Sequence, residues 1–153
     1  MELDFAEMSP EDVLEKFSQK FNCAQIAFAH GAYFLGLDLD IALKIPAVFG
    51  GGMHHGNECG AVTGALMAIG LKYGNNKPND AEQVAIALQK QAEFEAKFKA
   101  LHQSIMCRDL LEGMDFGKPE DVPKIVQSGL TATLCPKLVS SACDILDEVL
   151  ADD

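Results

Sequence analysis

Positive charge is scarce in this chain: 12 Lys and Arg stand against 23 Asp and Glu, for a formal net charge of −11. Such a surface repels phosphate backbones and anionic bilayers, which speaks against nucleic acid and membrane surfaces as partners. Long apolar runs are missing as well; none approaches the roughly 18 residues of a membrane-spanning helix, so no membrane insertion is expected. The first residues carry acids and no base, unlike the basic-then-apolar pattern of a secretory leader. Valine and threonine never cluster with a period of two, which argues against a sheet. No two of the five cysteines form a C-x-x-C, and no C-x-x-C-H is present, so covalent haem is not expected. The triple glycine lacks the lysine and the serine or threonine of a phosphate loop, and no serine sits in a strand-to-helix elbow.

What is present is a chain of 153 residues, 48% of them apolar, long enough to build a core without disulfide staples. An odd cysteine count and the missing leader point to free thiols in a reducing, cytoplasmic setting. The hydrophobic period is helical nearly throughout. Ser9, Pro10, Glu11 and Asp12 open a first helix through Phe17, and Asn22 caps a second that runs from Cys23 to Gly36. A short helix is expected over 40–47, another from Asn57 to Tyr73, and a long one from Asp80 to about Leu101, with Val84, Leu88, Phe94 and Phe98 on its stripe. Segment 105–111 holds Cys107 and ends at Gly113, a short helix is expected over 122–126, and a last amphipathic helix follows Thr133. These elements predict one all-α domain over 1–153, a helical bundle of about six or seven helices. Gly60, Ala61, Gly64, Ala65 and Ala68 give the fourth helix a small-residue face, suited to a tight crossing or to a homo-oligomer.

Chemistry has to come from cysteine and histidine. Cys23, Cys59 and Cys135 each fall where a helix begins, where free N–H groups and the positive end of the dipole favour a thiolate. Cys107 has the cation of Arg108 beside it in sequence. Cys143 lies eight residues beyond Cys135, about 12 Å along a regular helix, and reads as core. Gly50, Gly51 and Gly52 lie in the one glycine-dense segment, which carries more backbone entropy than a mere connector requires. His54 and His55 follow it; as neighbours they point differently, so at most one faces the cysteines. His30 reads as packed and hydrogen-bonded, His102 as facing solvent, and Met53 and Met67 as core or site lining.

Asn22-Cys23-Ala24-Gln25, Phe49-Gly50-Gly51-Gly52-Met53, Cys59-Gly60-Ala61-Val62-Thr63-Gly64-Ala65, Cys107 and Cys135-Pro136-Lys137-Leu138-Val139 together resemble the redox-active proteins named for the pattern C_GCAxxG_C_C. The likeness spans about residues 14–150, and Glu58 stands before Cys59. It implies that Cys23, Cys59, Cys107 and Cys135 form the redox-active or metal-binding set, with Cys143 as the extra cysteine. Gly50, Gly51, Gly52, Gly60 and Gly64 would let backbone approach a cofactor there. Similar domains appear in split-Soret-type cytochromes, which favours electron transfer.

Several occupants fit four convergent cysteines. One is an iron–sulfur cluster, most simply [2Fe–2S], with His54 or His55 as an additional ligand. Thiol–disulfide chemistry without metal is a second, although a dithiol needs two cysteines rather than four. A structural Cys₄ zinc site is a third, and a helical interaction domain whose cysteines merely fill the core is a fourth. The redox readings each require an electron donor or acceptor as partner.

Overall fold

A computed structural model describes residues 3–151 as an all-α fold. Nine α-helices are formed among the described residues: α1 (Pro10–Ser18), α2 (Cys23–Leu35), α3 (Leu39–Lys44), α4 (Gly60–Tyr73), α5 (Ala81–His102), α6 (Cys107–Leu110), α7 (Val122–Ser128), α8 (Leu130–Thr133) and α9 (Cys135–Ala151). The helix starts have local causes. Ser9 and Asp12 make a reciprocal capping box on α1, with Pro10 in its first turn. Asn22 and Gln25 do the same for α2: the Gln25 N–H donates to Asn22 Oδ1 and the Asn22 N–H to Gln25 Oε1, both at 2.9 Å. Asp38 and Asp80 cap α3 and α5.

α2 and α4 pack most closely. Gly64 lies against the backbone of Ala24, and a Cβ on Gly31 would come within 2.5 Å of the Ala68 Cβ. The small-residue face of α4 is therefore consumed by a crossing inside the chain. α9 closes the bundle, burying Leu138, Val139, Ala142, Ile145, Leu146 and Val149 on one face. With Ile26, Phe28, Phe94 and Phe98 these side chains form the main core. Each buried valine, leucine, isoleucine or phenylalanine among them contributes about 1.5–3 kcal/mol of transfer free energy, against the entropy lost on ordering the chain. A second, smaller core holds Cys107, Leu111 and Ile125, with Met114, Phe116, Leu130 and Cys135 packed on it.

The helix count exceeds the six or seven expected from periodicity because α6 and α8 are single turns of four residues each, too short to show a period. α8, just before the last helix, has no counterpart in the sequence reading. The stripe on α5 is only half used: Phe94 and Phe98 are buried, while Val84 and Leu88 are 39% and 58% exposed, because in the first half of α5 it is Ile86 and Ala87 that pack against the core. No described helix is long and apolar enough to cross a membrane.

Candidate functional site

All four cysteines of the expected set stand at helix starts. Cys23, Cys107 and Cys135 are the first residues of α2, α6 and α9, and Cys59 is the N-cap of α4. A two-rung clamp holds two of these starts together: the Cys59 N–H donates to the Ile105 carbonyl at 2.7 Å and the Cys107 N–H to the Asn57 carbonyl at 2.6 Å. Glu58 and Met106 lie opposite each other between the rungs as an isolated antiparallel bridge. Cys23 is brought against the start of α4 by a glycine: any Cβ on Gly60 would overlap the Cys23 sulfur. Pro136 follows Cys135 in the first turn of α9, where a missing N–H leaves no helical bond unmade.

The four residues line one solvent-open cavity of about 510 Å³. Its position in the fold is specific. Cys59 belongs to the main core and Cys23 packs against it, whereas Cys107 and Cys135 belong to the smaller core, so the cavity sits on the seam between the two. Leu14, Phe17 and Phe21 at the α1 end and Phe116 from the loop before α7 complete the wall.

The glycine segment forms one turn of left-handed helix. Gly51 (φ 62°, ψ 31°), Gly52 (φ 63°), Met53 (φ 59°, ψ 31°) and His54 (φ 60°, ψ 20°) follow one another through the left-handed region. Glycine tolerates this freely, but Met53 and His54 each carry about 1–2 kcal/mol of strain. The turn sets the Gly51 amide on the Cys23 sulfur and places His54 on the cavity lining, while His55 does not reach it. Met53 is 39% exposed and belongs to neither core nor cavity, since the left-handed backbone turns it outward. Of the five glycines singled out in the sequence, Gly50, Gly51 and Gly60 line the cavity; Gly52 and Gly64 pack instead against the backbones of Asn57 and Ala24.

Burial governs the thiols. It pushes Cys23 up, and the backbone N–H groups of Gly51, Ala24 and Gly60 pull only part of the way back. Cys59 is raised well above the usual thiol range by burial and then by its neighbour Cys23. Cys107 is pushed up to about 12 by burial and by the charges of Cys23, Cys135 and Asp115, and Cys135 to about 12 by burial and by Cys23. The thiolate character expected from helix starts is therefore overturned: loss of solvation outweighs the helix dipole. Arg108 gives no relief, because its guanidinium is turned to the Gly56 carbonyl and Asn57 Oδ1, each at 3.5 Å. Among the described residues no lysine or arginine lines the cavity.

The remaining cysteine and histidines lie elsewhere. Cys143 is buried within α9 at 2% exposure. It lines a second cavity with His30, Ser140, Asp144 and Asp147, an arrangement that looks like a nucleophile beside a base. His30 has no free nitrogen for that work, since Nδ1 bonds the Phe5 carbonyl and Nε2 bonds Asp147 Oδ1, both at 2.7 Å. His102 is part-buried rather than solvent-facing, bonded to Ser141 Oγ at 2.9 Å and packed on Phe98, because the last turn of α5 lies against α9. Phe116 and Thr131 line the site without having been signalled by the sequence; both lie in short segments that carry no period and no motif.

Among the described residues no three His, Cys, Asp or Glu side chains are gathered to hold a single metal ion. The four cysteines share instead the lining of one cavity. Their chemistry nevertheless fits a thiophilic metal group: four soft donors, an apolar wall, and backbone amides directed at the Cys23 sulfur. Compared with known proteins, residues 21–149 match the family model described as "Putative redox-active protein (C_GCAxxG_C_C)". No curated protein and no solved structure matches the chain.

Proposed function

The chain belongs to the C_GCAxxG_C_C family of redox-active proteins, and on that premise we propose that Cys23, Cys59, Cys107 and Cys135 hold an iron–sulfur cluster, most simply [2Fe–2S], used for electron transfer. The observation that carries this reading is the convergence of four sulfurs, from four helix starts, on one cavity that no described lysine or arginine lines. Four thiolates in such a place need metal cations to balance them, and a bound metal is what deprotonates a coordinating thiol. Such a cluster supplies reversible one-electron chemistry at a potential set by burial and by hydrogen bonds to its sulfurs.

The chain's own residues have defined parts in this. Gly51 and Gly60 direct backbone N–H groups at Cys23, which favours added electron density on that sulfur. The clamp between Cys59 and Cys107 fixes two donors before any metal arrives, which limits the reorganisation that slows electron transfer. The largely apolar wall lowers the polarity around the sulfurs. His54 stands at the lining as the one nearby imidazole, available as an additional ligand. A single zinc ion would take the same four sulfurs but supplies no redox chemistry. A dithiol needs two cysteines, whereas four line this cavity. An electron donor and acceptor would be the partners.

Anaerobic purification followed by an absorption spectrum, iron and acid-labile sulfide assays, and electron paramagnetic resonance of the reduced protein tests the reading. Iron with equimolar sulfide and a visible charge-transfer band is the expected result. Protein without metal that forms a disulfide among the four under mild oxidation refutes it in favour of dithiol chemistry.

A further inference from the structure

The sulfurs use only part of the cavity they face. Its volume of about 510 Å³ falls inside the roughly 300–1,000 Å³ range of small-molecule sites. The inorganic core of a binuclear cluster is four heavy atoms, on the order of 100 Å³ if each takes about the volume of a water. Most of the cavity is left, bounded by Leu14, Phe17 and Phe21 on one side and Phe116 on another.

The polar groups on the wall define what fits the rest. The Asn22 amide is engaged by the Gln25 N–H and the Ala47 carbonyl, and the Ser18 hydroxyl by the Glu15 carbonyl. The exposed His54 imidazole and the half-buried Thr131 hydroxyl line the same cavity, and neither is engaged by another described residue. Both can donate to an acceptor. Among the described residues no carboxylate, lysine or arginine lines the cavity, so a charged ligand would lose its hydration without compensation. His54 is moreover held on the lining by a strained left-handed backbone, a conformation that persists only where surrounding structure enforces it.

We propose that this cavity binds a small uncharged molecule with an apolar body and a carbonyl-type acceptor, on the order of ten heavy atoms, with its acceptor toward His54 and Thr131. The proposal rests on the functional reading only in assigning the remaining volume to the cysteine-held group. It supplies that reading with a candidate substrate class, a neutral carbonyl compound held beside a redox centre.

Calorimetric titration with 2-acetylnaphthalene, on iron-loaded and on metal-free protein, provides the test, with naphthalene-1-sulfonate as the charged comparison. Saturable 1:1 binding of the ketone to both forms is expected, with the sulfonate at least tenfold weaker. Leu14→Trp, at a position already 44% exposed and thus able to take a larger side chain, should weaken binding tenfold or more by filling the cavity. Thr131→Val and His54→Ala should each weaken it several-fold with no change in the circular dichroism spectrum. Binding to metal-free protein that disappears on iron loading overturns the proposal, because the cluster then takes the whole space. So does binding that Leu14→Trp leaves unchanged, or equal affinity for the sulfonate. Protein that never takes up iron but binds the ketone with the expected pattern ends the functional reading and leaves the cavity's ligand class standing.

Discussion

The Cys107 amide donates to the Asn57 carbonyl at 2.6 Å, tying the start of α6 to the residue two places before Cys59. Two cysteines far apart in sequence are thereby fixed as neighbours by backbone alone, independent of side-chain chemistry. Geometry at their sulfurs should therefore survive substitution of either one. Cys59→Ser and Cys107→Ser are expected to fold with native circular dichroism yet to lose most of their iron and sulfide, whereas Cys143→Ala keeps the full complement. Equal iron content in all three would remove the four-cysteine assignment.

Gly60 and Gly70 offer a paired test on a single helix. A methyl at Gly60 would overlap the Cys23 sulfur, while one at Gly70 meets nothing within 4 Å. Gly60→Ala should destabilise the fold by about 1–3 kcal/mol through overpacking and displace Cys23. Gly70→Ala should stabilise it by roughly 0.5–1 kcal/mol, the helix-propensity difference. Urea denaturation of both variants, read against their iron content, checks whether the Gly60 effect reaches the site.

Met53 carries strain without contributing to core or cavity. Met53→Gly should raise stability by up to about 1 kcal/mol as the left-handed penalty is relieved, less the extra freedom of the unfolded chain. Thermal melts of variant and parent measure it; a loss of stability would mean that the Met53 side chain makes a contact more valuable than the strain it carries.

Stability should fall as pH rises through the neutral range because of His30. Both its ring nitrogens meet oxygens that only accept, the Phe5 carbonyl and the Asp147 carboxylate, so the imidazolium alone satisfies the pair. Burial lowers its pKa, but the Asp147 hydrogen bond, the Phe5 carbonyl and the charges of Asp147 and Asp144 together raise it above the ordinary value. A raised folded pKa means stabilisation fully present below the unfolded value of about 6.5 and lost as pH climbs through the folded one. Melting temperatures between pH 6 and 8.5 should decline, and Asp147→Asn should flatten that slope. At pH 6 the variant should cost about 1 kcal/mol, a modest figure because Asp147 is half exposed.

Much of this architecture was legible in the chain. The Asn22-to-Gln25 capping box announces α2, and the cysteine positions announce a site, because caps and helix starts are decided within a few residues. The left-handed turn was only half readable: glycines 50–52 signal unusual backbone, yet nothing local tells that Met53 and His54 continue it. Thiol acidity was misjudged for a related reason. The helix dipole is a local property, whereas much of the burial that overrides it is supplied by α9 and the loop at Phe116, both far from Cys23 in sequence. The four-residue start carrying Cys107 had no period to betray it, and only the clamp to Asn57 gives it a place.

The seam between the two cores gives the four sulfurs a mechanical role. Cys23 and Cys59 belong with the larger unit, Cys107 and Cys135 with the smaller. Any group bonded to all four acts as a rivet through both, adding to the backbone clamp a second tie whose strength depends on occupancy. Resistance of the Asp115–Asp121 loop to protease would then rise and fall with occupancy, so digestion kinetics would read out loading without any spectroscopic signal.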